Sequence, residues 1–345
     1  MGEIMKKKCL FLLLFIFSLN LFGTQHEEIT PPVGPYVKGG INVFVTGEFL
    51  WWKGMQEGLS YASSGVLIQS GTTTSSGRVH KIDPSWNPGF RIGIGFYPGH
   101  DGWDLYGRYT WYHGDGADQA TRLDGNMLPI GTVYDSLSSV TVQSITHAKS
   151  HWDLHYNVVD LELGRNFFLS NYLKTRLFAG LRGVWNSQDW KTYYTSNQLA
   201  INGGAATFGT IVTDQDQDTW GLGIRMGGQG TWTFYKGYSI VADASFAGIW
   251  IDYDNHRKDS AYQPSTLTRL QSTIKSDPNS NLFNLDLMLG LRGEWWLYDD
   301  TYHLSIQGGW ENQIWLHYGN FIFLNRNSRG DLTFSGFSAK LRFDF

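Results

Sequence analysis

"LFNLDLMLGLRGEWW", residues 282–296, suits a helix by composition and a strand by the placing of its charges. It is rich in leucine, yet Asn284, Asp286, Arg292 and Glu294 sit inside it at even positions. On a helix turning about 100° per residue these four would scatter around the cylinder and leave no clean apolar face. On a strand they share one side, and Phe283, Leu285, Leu287, Leu289, Leu291 and Trp295 share the other.

The same period of two recurs along the chain. In 41–52, Ile41, Val43, Val45, Phe49 and Trp51 alternate with Asn42, Thr46 and Glu48, and in 90–97, Phe90, Ile92, Ile94 and Phe96 flank Arg91. Leu105, Tyr109 and Trp111 oppose Asp104 and Arg108, Val159, Leu161 and Leu163 oppose Asp160 and Glu162, and Leu177, Leu181 and Trp185 oppose Arg176 and Arg182. Trp220, Leu222, Ile224, Met226 and Trp232 face away from Arg225, as Phe246 and Trp250 do from Asp243. Leu304, Ile306 and Trp310 alternate with His303, Ser305 and Gln307, and the chain ends with Leu341, Phe343 and Phe345 against Lys340, Arg342 and Asp344. The pattern predicts about ten strands, each near the roughly 9–11 residues that cross a bilayer at a tilt.

These features point to an all-β fold, a transmembrane antiparallel up-and-down β-barrel. Trp111, Trp185, Trp220, Trp232, Trp250 and Trp295 lie at strand ends, where membrane-interface aromatics belong. Connections alternate between short ones, "PGHD", "LSNY", "YKG" and "YDD", and long polar ones at 54–85, 114–150, 187–218, 252–281 and 316–330. Short periplasmic turns and long external loops are the expected asymmetry. A soluble β-sandwich also alternates, but it needs neither aromatics at both strand ends nor a regular exchange of short and long connections.

The N-terminus agrees with export. Lys6, Lys7 and Lys8 precede an apolar run from Cys9 to Phe22, which at about 14 residues is short for a membrane helix and suits a secretory signal peptide. The expected division is a signal peptide at 1–23, a periplasmic segment at 24–40 and an outer-membrane barrel at 41–345. Cys9, the only cysteine, would leave with the signal, so no disulfide framework is expected. The 345 residues carry a net charge of −4 and no Lys/Arg-rich run, which excludes the electrostatic footprint of a nucleic-acid binder.

Several blocks then resemble one family: "GEFLWWKGMQEGLSYA", "WDLYGRYTWYHG", "YNVVDLELGRNFFLS", "LKTRLFAGLRGVW", "LDLMLGLRGEWW", "YHLSIQGGWENQIW" and "GDLTFSGFSAKLRFDF". They are similar to the Legionella major outer membrane protein-like family of pore-forming proteins, whose relatives also occur in environmental chlamydiae. The resemblance spans most of 41–345, with "NVVDLELGR" and "YHLSIQGGWENQIW" its most specific parts, and implies an outer-membrane porin or channel. It supplies no binding residues.

With the apolar face toward lipid, Glu48, Arg91, Asp104, Arg108, Arg176, Arg182, Arg225, Asp243, Asp286, Arg292 and Glu294 become candidate pore-lining residues. Near-balance of the two signs argues against strong ion selectivity. Ten strands lie near the barrel size at which side chains fill the lumen. The expectation is therefore a small or gated porin-like pore for hydrophilic solutes or ions. The alternative is an adhesin or structural envelope barrel with a plugged lumen and functional loops. Glycines 93, 95, 221, 223, 227 and 290 fall on the lumen face and would either leave room or relieve crowding.

Other motifs weigh little. His147, His151 and His155 recur every four residues, but on a strand neighbours in that series lie about 13 Å apart, too far to share a metal. "DQDQD", Asp214 to Asp218, lacks the Gly and Glu of a calcium loop and reads as a solvated acidic loop, with at most weak cation bridging to lipopolysaccharide. His113, Asp115 and His317 are the rim residues a barrel hydrolase would use, yet no nucleophile elbow accompanies them, and no enzyme activity is expected. No cofactor or metal is expected. The expected partners are outer-membrane lipid and lipopolysaccharide, small hydrophilic solutes, the barrel-assembly machinery through C-terminal Phe345, and a further copy if the protein oligomerises.

Overall fold

The computed structural model describes residues 34–35, 37–65, 77–99, 101–124, 127–130, 139–323 and 329–345. The expected signal peptide and most of the segment 24–40 lie outside them. Among the described residues every regular element is a strand: β1 (Val43–Gln56), β2 (Ser60–Ser64), β3 (Arg78–Lys81), β4 (Trp86–Phe96), β5 (Trp103–Thr121), β6 (Met127–Pro129), β7 (Val140–Ser170), β8 (Leu173–Ile201), β9 (Thr207–Tyr235), β10 (Tyr238–Gln263), β11 (Thr268–Ser276), β12 (Asn279–Leu297), β13 (Tyr302–Gly319) and β14 (Gly330–Asp344).

Ten of these pair antiparallel with a neighbour on each side and close the sheet, in the order β1-β4-β5-β7-β8-β9-β10-β12-β13-β14 and back to β1. Closure leaves no unpaired edge, which a sheet in hydrocarbon must avoid. Phe44 pairs with Asp344 and Val45 with Phe343, so the C-terminus is sealed into the first strand. Strands β2, β3 and β6 form a separate small sheet. Strands β11 and β12 line up along β10 one after the other, interrupted at Asp277 and Pro278, where proline has no N–H to give the ladder.

One end carries the tight turns. Gly237, at φ +77°, turns β9 into β10, and Lys38 N–H donates to the Asp300 carbonyl in the turn between β12 and β13, tying the chain entering the barrel to that end. On the outer wall, Trp232, Tyr238 and Trp295 stand near this end, and Trp220 and Trp250 stand 12 residues or so farther along their strands, packed edge to face at 5.2 Å. Twelve residues make roughly 40 Å of strand, or about 30 Å of height at the usual tilt, which is one hydrocarbon layer.

The long connections are where the structure departs from the sequence reading. Polar segments 114–150, 187–218 and 252–281 are mainly continuations of the barrel strands, not loops: β7 runs 31 residues and β8 and β9 run 29 each. "DQDQD" therefore lies on β9, not in a solvated loop. The physical reason is an inversion of pattern. Beyond the Trp220–Trp250 level the outward positions become Lys149, His151, Asp153, Asp189, Lys191, Asp214, Asp216 and Asp254, while the inward ones become Trp152, Leu154, Trp190, Tyr194, Ile211 and Tyr253. Water replaces lipid outside, so polar residues move out and apolar ones move in, with the period of two unbroken.

Candidate functional site: the barrel lumen

The lumen has two layers. Within the membrane-spanning height it is ionic. Arg182 donates to Asp160 at 2.6 Å and to the Asn284 amide oxygen, and lies 2.9 Å from Asp286. Arg225 bonds Glu162 and Ser245 Oγ, Arg108 bonds Asp160 at 2.8 Å, and Arg176 bridges Asp104 and Glu162 at 2.6 and 2.9 Å. Arg91 holds Glu48 at 2.9 Å and Glu311 at 3.0 Å. Toward the tight-turn end, Arg292 reaches Gln307 at 2.7 Å with Glu294 3.8 Å away, and Arg342 pairs with Asp344, which also accepts from His303. Such pairing matters because a buried carboxylate or guanidinium that loses its partner is strongly destabilising.

All eleven residues marked from sequence as pore-lining share the inward parity, and ten of them enter the contacts above, while Asp243 lines the cavity between them. Between them lies a cavity of about 90 Å³, lined by Glu48, Arg108, Arg225, Asp243, Arg292 and Lys340 among others, room for a handful of waters. Sequence reading missed Glu311 and Gln313, although "WENQIW" continues the period past Trp310 and puts both inside. The lumen glycines leave no open space. A Cβ at Gly95 would strike the Phe44 ring, and one at Gly93 would meet Tyr106 Oη and Thr46 Oγ1, so these glycines admit a neighbour's side chain.

Above the ionic layer the lumen is packed with aromatics that the sequence reading also missed. Trp52, Trp152, Trp190, Trp315, Tyr112, Tyr156 and Phe334 are buried there. Tyr156 and Phe334 rings approach to 4.6 Å, Trp152 Nε1 donates to Gln188 and Trp190 Nε1 to Ser150. The signal was present in "HWDLHY" and "QDWKTYY", where an aromatic falls on every second or fourth position among polar residues, a pattern that passes for loop composition until the inversion is known.

The described residues that follow β13 also enter the lumen. At Trp315–Gly319 the register with β14 shifts, His317 takes φ +58°, and residues 318–323 turn inward across the lumen. Phe321 and Phe323 pack on Trp190, at ring distances of 5.4 and 5.9 Å.

The remaining candidates lie on the outer face. His113 and His155 face each other across β5 and β7 with Nδ1 atoms 3.2 Å apart, His151 pairs with Asp153 at 2.7 Å, and His147 meets Thr121. Among the described residues no group of three or more His, Cys, Asp or Glu side chains is arranged to hold a metal. His113 and Asp115 stand on β5 and His317 at the end of β13, with three strands between them in the ring, so the structure does not bring that trio together. On β9, partial burial together with the neighbouring Asp189 and Asp214 pushes the Asp216 carboxyl up to about 6.

Closed sheet, two aromatic levels about one bilayer apart and an apolar outer band between them define an outer-membrane β-barrel. The family model described as Legionella pneumophila major outer membrane protein precursor matches residues 42–345, and the chain belongs to that family. No curated protein matches. Among solved structures, the outer membrane protease OmpT from Escherichia coli is 12% identical with a TM-score of 0.38, over 88% of this chain and 97% of that one. A major outer membrane protein from Thermus thermophilus is 12% identical, TM-score 0.26, over 87% and 99% of the two chains. A Pseudomonas aeruginosa FadL homologue is 9% identical, TM-score 0.30, over 88% and 89%.

Proposed function

We propose that this protein is a porin-like channel for small hydrophilic solutes whose resting state is closed. The observation that carries the reading is the ionic layer with its cavity. A barrel serving only as a scaffold gains nothing from burying this many charges, since well-packed apolar residues of the same volume do as well or better. Paired charges of both signs around a wettable space suit passage of polar solutes without strong preference for either ion sign. Purified protein in planar bilayers is expected to show infrequent, small conductance steps. Membranes that stay silent across many insertions would overturn the reading.

A second reading, an envelope-stabilising or adhesive barrel, is favoured by the aromatic packing and by the long wall that stands beyond the membrane. It predicts the silent membrane, and it predicts that surface attachment survives every substitution in the lumen but not changes to the outward faces of β7–β10.

A further inference from the structure

The segment 318–323 is held in an unusual way. Apart from the Gly319–Gly330 pair with β14, its main chain is bonded by side chains of the facing wall. Asn320 N–H donates to Gln217 Oε1 at 2.7 Å, Asn255 Nδ2 donates to the Asn320 carbonyl at 3.1 Å, Arg257 Nη1 to the Ile322 carbonyl at 2.8 Å, and Tyr253 Oη to the Tyr318 carbonyl at 3.0 Å. The wall thus reads an extended amide chain by its donors and acceptors, while Trp190 offers a ring face beside it.

The same wall has hydrogen-bonding capacity left over. Gln217 lies opposite Asn255 and Gln215 opposite Arg257 in the β9–β10 register, and Thr213 opposite Asp259. Among the described residues Gln217 Nε2, Asn255 Oδ1, both amide atoms of Gln215 and Thr213 Oγ1 are buried with no partner, on side chains at most 2% exposed. Each such group is costly to bury unless water or a ligand satisfies it. Three consecutive inward pairs carrying unused donors and acceptors are a built surface for something polar. Its formal charges, Arg257 and Asp259, pair with each other at 2.8 Å, so what it recognises is uncharged.

We infer that the Gln215–Gln217–Asn255 face is a binding site for neutral solutes rich in adjacent hydrogen-bond donors and acceptors, amides or polyols, and that segment 318–323 occupies it until displaced. Solute takes over the bonds that the segment's main chain now makes and stacks on Trp190, and the segment's withdrawal opens the mouth. This rests on the channel reading and names the solutes that channel takes.

The test uses the full chain in liposomes, with uptake of raffinose (polyol), N-acetyl-triglycine amide (neutral amide) and arginine hydrochloride (charged) measured by swelling. Phe321→Ala/Phe323→Ala loosens the segment without touching the wall and is expected to raise uptake of both neutral probes at least about tenfold, with Phe321→Leu/Phe323→Leu remaining near the parent. Adding Gln215→Leu/Gln217→Leu to the loosened protein is expected to lower neutral uptake while leaving arginine unchanged. A response from one neutral probe alone supports the site and assigns it to that chemistry. Heat-modifiable mobility in gels checks folding of each variant. A parent that passes solutes with a loosened variant no faster overturns the inference and leaves the channel reading standing. Loosening that helps all three probes alike, with no response to the glutamine substitutions, overturns the site. Folded parent and folded loosened variant that both pass nothing overturn the channel reading and this inference with it.

Discussion

The membrane-spanning part of the barrel and the part that stands beyond it are built from the same strands with opposite patterns. On β7, Val159, Leu161 and Leu163 point out while Asp160 and Glu162 point in; twelve residues or fewer back along that strand, His151 and Asp153 point out while Trp152 and Leu154 point in. The difference shows that alternation alone fixes the sheet, and that the solvent on each side fixes which residue type goes where. It also sets two kinds of closure. The lower lumen is held by ion pairs that fail badly when one member is lost, the upper by ring packing and a few hydrogen bonds.

The largest expected effect breaks the ionic layer. Arg182→Leu leaves the buried carboxylates Asp160 and Asp286 without their shared cation and is expected to destabilise by about 3–5 kcal/mol. Lys191→Leu, which removes the outward pair with Asp214 in the upper part, is expected to cost under about 1 kcal/mol. Urea unfolding in vesicles compares them, and equal losses would mean that the two halves do not differ in this way.

Next comes the outer face. Leu289→Arg puts a charge into the hydrocarbon between the aromatic levels and is expected to cost about 2–4 kcal/mol. Asp189→Arg, on the outward face beyond Trp185, is expected to be close to neutral. If Asp189→Arg proved as harmful in the same unfolding assay, the upper wall would be in lipid and the membrane boundary drawn at the tryptophans would be wrong.

The smallest effect is pH-dependent. Asp216 titrates at about 6 in the folded protein against an ordinary 3.8, so the native state binds its proton more tightly than the unfolded chain. Its contribution to stability therefore falls as pH rises from about 4 to about 6 and is flat above. Asp216→Asn is expected to remove that slope, giving a gain above pH 6 held to under about 1 kcal/mol by the side chain's exposure, and none at pH 3.5. Unfolding curves at four or five pH values would show it, and a gain at low pH would contradict the sign.

Much of the lower barrel was legible because its pattern is local. Each strand from Val43 to Asp344 announces itself by a period of two, and Arg91, Arg182 and Asp286 are recognisable as inward simply by parity with their apolar neighbours. The upper wall was not legible by the same rule, since Lys149 to Asp153 and Asp189 to Lys191 present polar residues where the lower strands present leucine. Composition there looks like loop, although parity continues. The inward course of 318–323 has no sequence signal beyond the two phenylalanines after Asn320.

The all-β class, the face each strand turns to lipid and the inward parity of the charges follow from the amino-acid order, because side-chain alternation is a property of each strand alone. Which arginine meets which carboxylate, the gathering of Trp52, Trp152, Trp190 and Trp315 in one lumen, and the packing of Phe321 and Phe323 on Trp190 came only with the folded barrel. Those are relations between strands distant in the chain, set by barrel closure and shear, and no local pattern encodes them.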